Sequence, residues 1–226
     1  MAEPPTGLVL VSANAEWRAV IEIMAPKKAG LTPYGETFEN QGIRYMHGGW
    51  GKIAAAASTQ YAIDHFQPGL LVNLGTCGGI SGRIERGTVL LVTRTLVYDI
   101  IEQMSDPAGA IQHYSSEPDL AWLCEPLPHT VTAALLVSAD RDILADDIQM
   151  LVDRYGAVAA DWESGAIAWV AKRNKVRCLI LRGVTDLVSA QGGEAYGNYE
   201  LFDDNTRIVM RKLLGQLPDW LAAGGI

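Results

Sequence analysis

The chain has 226 residues, 49% of them hydrophobic and 19% charged, enough to bury one sizeable core, and one domain over residues 1–226 is expected. Its formal net charge is −8, and no Lys/Arg cluster is present to neutralise phosphates. That argues against a nucleic-acid partner or a polybasic membrane contact.

Gly7 to Ser12 (GLVLVS) reads as a buried first strand. The next segment predicts a helix with Trp17, Val20, Ile21, Ile23 and Met24 apolar, Asn14 as its candidate cap and Glu16 in its first turn. From sequence alone, Glu16 either complements the helix dipole or serves a site beyond the strand's carboxyl end. Residues 26–42, rich in Pro, Gly and Lys, predict a connection and an edge strand or hairpin. Ile43 to Gly48 is a strand, and an alanine-rich helix then runs to about Phe66. Its opening, Gly49-Trp50-Gly51-Lys52-Ile53-Ala54, matches a G-x-G-x-x-A dinucleotide fingerprint. The following strand, Leu70 to Leu74, lacks the ribose-binding acid that the fingerprint requires, so close Gly-rich packing explains it better.

That strand leads into Gly75-Thr76-Cys77-Gly78-Gly79, read as a Gly-rich turn or an anion- or sugar-binding nest. Gly87 to Tyr98 is a further strand, ending at Asp99. Residues 103–130, with four prolines, predict an irregular loop or lid. A strand at Ala134–Ser138, Asp140-Arg141-Asp142, a helix over 146–155 and a short strand at 157–160 follow. They deliver Asp161-Trp162-Glu163 at the mouth of a helix over about 164–174. Val176 to Val184 is a central strand carrying Arg182, with Thr185-Asp186 expected at its carboxyl end. A polar Gly-rich loop (189–200) precedes a closing helix over 203–217, with Ile208, Val209, Leu213 and Leu214 on one face.

Strands alternating with helices predict a three-layer α/β/α fold around a twisted, mixed and mostly parallel sheet. Ligands in such folds sit beyond the strands' carboxyl ends, where Glu16, Thr76, Asp99, Glu163 and Asp186 are expected to gather. The lone histidines and the three cysteines, Cys77, Cys124 and Cys178, share no metal-ligand spacing, so no metal is expected. Odd thiols also suit a reducing, cytoplasmic setting. The N-terminal stretch lacks the features of a signal peptide, and no apolar run approaches about 18 residues, so no membrane span is expected. Six tryptophans suggest that some line a pocket or a subunit interface.

These pieces, from Glu16 through the 49–56, 73–79, 87–99 and 161–168 segments to Arg182-Gly183-Val184-Thr185-Asp186, resemble the nucleoside phosphorylase/nucleosidase superfamily. Within it they are most similar to the 5′-methylthioadenosine/S-adenosylhomocysteine nucleosidases. The resemblance implies hydrolysis of a purine nucleoside without a cofactor. By residue, it implies that Glu16 activates water, Glu163 binds ribose and Asp186 protonates the leaving base. Thr76 would orient Asp186, Arg182 would support the site, and Cys77, Gly78 and Trp162 would line it. It also implies a homodimer.

The chemistry agrees with those residue types. An oxocarbenium-like state needs an anion near ribose and an acid at the base. Keeping Asp186 protonated near neutrality means lifting an ordinary pKa of about 3.9 by roughly 3, or about 4 kcal/mol, which burial and a nearby acid can supply. Asp186 as a cap for the next loop is the simpler alternative, and Asp161 reads as a helix-start residue. Asn73 stands where the superfamily's phosphorylases place an arginine, and Glu16 would repel phosphate, so water is favoured as the nucleophile. Trp162 in place of a methionine, a short 100–120 region and charged 140–142 leave the identity of the nucleoside open, futalosine included. Competing readings are a phosphate-dependent phosphorylase, a non-catalytic nucleoside binder and, more remotely, a dinucleotide oxidoreductase.

Overall fold

A computed structural model describes residues 7–226; the first six residues, part of the N-terminal stretch discussed above, lie outside the described residues. In chain order the elements are β1 (Gly7–Val11), α1 (Asn14–Met24), β2 (Gly30–Leu31), β3 (Glu36–Asn40), β4 (Ile43–His47) and α2 (Gly51–Phe66). Next come β5 (Leu70–Ile80), β6 (Val89–Val97), α3 (Pro107–His113), β7 (Thr132–Ser138), α4 (Ile148–Tyr155) and β8 (Ala159–Asp161). The chain closes with α5 (Ser164–Arg173), β9 (Cys178–Ser189), β10 (Gly192–Gly193) and α6 (Tyr199–Ala223).

The strands form one mixed sheet in the order β10-β9-β6-β7-β8-β5-β1-β4-β3-β2, and β9 also pairs with β5. That extra pairing closes β5, β9, β6, β7 and β8 into a ring from which the remaining strands extend. The longest pairings, β5–β9 and β6–β7, are parallel; β5–β8 and β6–β9 are antiparallel. Side-chain alternation builds the layers. Val9 and Val11 of β1 join Trp17 and Val20 of α1 and Leu213, Leu217 and Trp220 of α6. Leu8 and Leu10 point to the other face, against Ala55 and Ala62 of α2 and Ile167 and Ala171 of α5. A three-layer α/β/α fold results, as the alternating pattern predicts. Among the described residues, no helix is long and apolar enough to cross a membrane.

Four expectations need correction. Residues 75–79 form no turn or nest: they are strand within β5, and Gly75, Gly78 and Gly79 do not take positive φ. Gly75 is glycine because of crowding, since a Cβ there would lie 1.7 Å from Arg182 Nη1 and 2.7 Å from Glu16 Oε1. Asp186 lies inside β9, which continues to Ser189, and the β5–β9 register slips at Thr185, pairing Cys77 with Val184 and Gly78 with Asp186. Such a bulge re-aims the side chain that follows it. The 103–130 segment contains α3 and adds nothing to the main cavity's wall; its Leu120, Trp122 and Leu123 pack on the α1/α6 core instead. The closing helix begins at Tyr199 and turns Ile208 outward, 67% exposed, while Val209, Leu213 and Leu214 are buried.

Candidate active site

A cavity of about 630 Å³ opens at the strand ends, lined by Glu16, Thr76, Cys77, Gly78, Trp162, Glu163 and Asp186. Seven of the eight residues expected to form the site thus face one space. Arg182 does not: it lies behind the wall, with no exposure.

Glu16 is placed by the register of β1 and α1. Its Oε2 accepts from the Ala13 amide at 3.2 Å, the backward reach of a capping-box glutamate. Ala13 is therefore the cap position, and Asn14 is already helical. Glu16 Oε1 accepts from the Thr76 amide at 2.6 Å and the Thr76 hydroxyl at 2.8 Å. One oxygen thus caps the start of α1, and the other holds Thr76 at the cavity wall. Thr76 is thereby tied to Glu16; the hydroxyl on Asp186 is that of Thr185, at 2.7 Å. The expected Thr76–Asp186 contact is thus replaced by a neighbour-to-neighbour one across the bulge.

Asp161 does more than start α5. Its carboxylate takes the Ser164 amide at 3.0 Å and the Ser138 hydroxyl at 2.6 Å, and pairs with Arg182 Nε and Nη2, each at 2.9 Å. Arg182 Nη2 also donates to Asn73 Oδ1 at 2.8 Å, and the Asn73 amide is anchored on the Leu10 carbonyl. Arg182 Nη1 is buried without an acceptor. A Cβ on Gly75 would sit between this nitrogen and Glu16 Oε1, but Arg182 forms its ion pair with Asp161 and none with Glu16.

Glu163 accepts from the Gly51 amide at 3.0 Å, the first residue of α2. Gly51 has φ +84, so the glycine of the apparent dinucleotide fingerprint serves here to bring a helix N-terminus onto a carboxylate. Burial and then the Asp161 charge push the Glu163 carboxyl up to about 8; Arg182 opposes this, Glu16 adds to it and the Gly51 amide opposes it. Asp186 is also raised, by burial first; the Thr185 hydrogen bond opposes that, Glu194 and Asp142 reinforce it, and Arg86 opposes it. Cys77 is buried, which raises its thiol pKa and keeps it neutral, so it lines the wall and is no nucleophile.

Trp162 stacks on Trp50, ring centroids 4.7 Å apart and 25° between planes. Each indole immediately precedes one partner of the Glu163–Gly51 hydrogen bond, so the pair flanks the Glu163 carboxylate. The wall also includes residues that were not singled out as site residues. Arg141, Asp142 and Ile143 come from the turn after β7, Tyr196 from the Gly-rich loop, and Tyr199 and Phe202 from the start of α6. Tyr196 Oη donates to the Ile143 carbonyl at 2.8 Å and draws that loop across the cavity. Aromatic residues inside a polar Gly-rich loop were the available signal. Asp99, expected at the rim, is turned away from the cavity toward Lys52.

A buried acid network and a raised acid share the wall of one open pocket, an arrangement suited to acid-assisted cleavage of a small molecule. Residues 15–216 match the model of the Phosphorylase superfamily, and the chain belongs to that family. A 5′-methylthioadenosine/S-adenosylhomocysteine nucleosidase of Psychromonas ingrahamii is 23% identical over 205 residues, covering 84% of this chain and 87% of the relative. The corresponding Helicobacter pylori enzyme superposes with a TM-score of 0.78 at 15% identity, covering 96% of this chain and all of that one. Futalosine hydrolase of the same organism gives a TM-score of 0.77 at 16% identity, over 95% and 98% of the two chains.

Proposed function

We propose that the protein is a nucleosidase that hydrolyses the N-glycosidic bond of a purine nucleoside of the 5′-methylthioadenosine/S-adenosylhomocysteine type. The observation that carries this reading is one cavity holding Glu16 and Glu163 together with a separate, raised acid, Asp186. Asp186 gives its proton to the purine as the C1′–N bond breaks. The departing base takes the bonding electrons, and positive charge spreads over the ribosyl ring. Glu163 accepts from the ribose hydroxyls; those donors, the Gly51 amide and the ring's charge all favour its ionised form over the protonated one. Water attacks C1′ and passes a proton to Glu16, whose Oε1 is held by the Thr76 amide and hydroxyl.

Water is favoured over phosphate by two features. Asn73 is fully buried behind the wall and engaged by Leu10 and Arg182, and the Arg182 charge is already matched by Asp161. The relatives named above support the purine base and the hydrolytic outcome, in keeping with the family resemblance. A homodimer fits the exposed Trp50 and Ile53 (62% and 85% exposed) beside the cavity mouth, and a cytoplasmic setting fits the free thiols.

A nucleoside panel with and without phosphate tests the reading by base release. Free base and free sugar are expected without phosphate, and strict phosphate dependence overturns it in favour of a phosphorylase. Glu16→Gln and Asp186→Asn are each expected to lower kcat by roughly 10²–10⁴-fold. Unchanged behaviour in both would leave a non-catalytic binder.

A further inference from the structure

Lys52, Asp99 and Asp140 are not used by the mechanism above, yet they meet at one point. The first two amides of α2 each serve a different carboxylate: Gly51 N donates to Glu163 at 3.0 Å, and Lys52 N donates to Asp140 Oδ1 at 2.7 Å. Asp140 is itself held, its amide donating to Asp99 Oδ2 at 3.0 Å. Lys52 Nζ pairs with the other Asp99 oxygen and lies 3.8 Å from Asp140 Oδ2. Asp99 follows β6 and Asp140 follows β7, so one lysine and two aspartates clamp two strand ends to one helix start. The fit is close: a Cβ on Gly51 would sit 3.2 Å from Asp140 Oδ1. None of the three lines the cavity, but Asp140 directly precedes Arg141, Asp142 and Ile143, which do.

We propose that Asp140, fixed by Lys52 and Asp99, is a positioning residue that keeps the Gly51 amide on Glu163 and the 141–143 wall in register with it. The sugar anchor and the base wall are thereby set by one clamp. This rests on Glu163 being the ribose-binding carboxylate. Two consecutive amides on a rigid helix cannot move independently, so releasing the second from Asp140 displaces the first from Glu163.

The test is the titration of Glu163, whose facing groups are Asp161 from β8, Arg182 from β9, Glu16 from α1 and the Gly51 amide from α2. With 13C-carboxyl glutamate, its signal is assigned by its loss in Glu163→Gln. Losing the Gly51 donor disfavours the ionised form, so Asp140→Ala should raise the midpoint by at least about half a pH unit. The acid limb of kcat/KM should move up with it, with a loss of about tenfold or more at neutral pH. Asp140→Asn keeps an oxygen for the Lys52 amide and should stay near wild type. If Asp140→Ala fails to fold, Lys52→Met, which keeps every backbone donor, should give a smaller rise. An unmoved midpoint in the variant measured, or an Asn variant displaced as far as Ala, overturns the proposal. If the wild type releases base from no nucleoside, the nucleosidase reading fails separately, and the carboxyl titration still decides the clamp.

Discussion

The two ends of the cavity are built differently. At the end built around Glu16 and Glu163, Glu16, Thr76, Asp161, Glu163 and Arg182 are each no more than 8% exposed and come from α1, β5, β8, β9 and the turn into α5. Nearly every polar atom there has a partner at 2.6–3.2 Å. At the Asp186 end, Asp186 is buried, but its companions Arg141, Asp142 and Tyr196 sit on turns and loops. Tyr196 is 42% exposed, and its hydroxyl tie to Ile143 crosses 53 positions. The dense end suits a task common to every nucleoside substrate, namely holding charge beside a ribosyl cation. The loop-borne end suits discrimination, because loops change without disturbing the core.

This contrast predicts effects of different kinds. The largest is Arg182→Met, which strands Asp161 as a buried, unpaired anion; unfolding free energy should fall by about 3–5 kcal/mol in urea denaturation. A loss under about 1 kcal/mol would show that the dense end is not the structural keystone it looks like. Glu163→Gln should act in the opposite direction. A carboxyl raised to about 8 when folded is bound more tightly to its proton than when unfolded. Its contribution is therefore complete below the ordinary value of about 4.3 and is lost as pH rises to 8. The Gln variant should be more stable than wild type at pH 8, with an advantage that shrinks as pH falls and vanishes near pH 4. A Tm gap independent of pH would contradict the assignment. The smallest effect is Tyr196→Phe at the loop-borne end. Losing one partly exposed hydrogen bond costs about 1 kcal/mol, so KM should rise a few-fold with kcat and Tm nearly unchanged. A fall in kcat would mean that the loop takes part in the chemistry.

Much of this was legible along the chain. The layers follow from alternation in β1 and from the alanine face of α2, both local patterns. Glu16, Glu163 and Asp186 stood out because acids flanking buried apolar strands have no structural need to be there. Tyr196, Tyr199 and Asp142 did not stand out as site residues, since their part depends on where a loop crosses, and no local period encodes that. Thr76 was assigned to the wrong carboxylate for a similar reason. Two hydroxyls, on Thr76 and Thr185, lie within reach of the strand ends, and only the register of β5 against β9 decides between them.

The sequence by itself thus determined the layer architecture, the set of candidate acids and the absence of the ribose acid that a dinucleotide site requires. The tertiary structure alone decided the pairings: Asp161 neutralises Arg182, the Gly51 amide contacts Glu163, and a bulge at Thr185 aims Asp186. The physical reason is that alternation and apolar runs act over a few residues. A buried charge, by contrast, chooses its partner by desolvation and distance, which exist only once strands far apart in the chain have set their register.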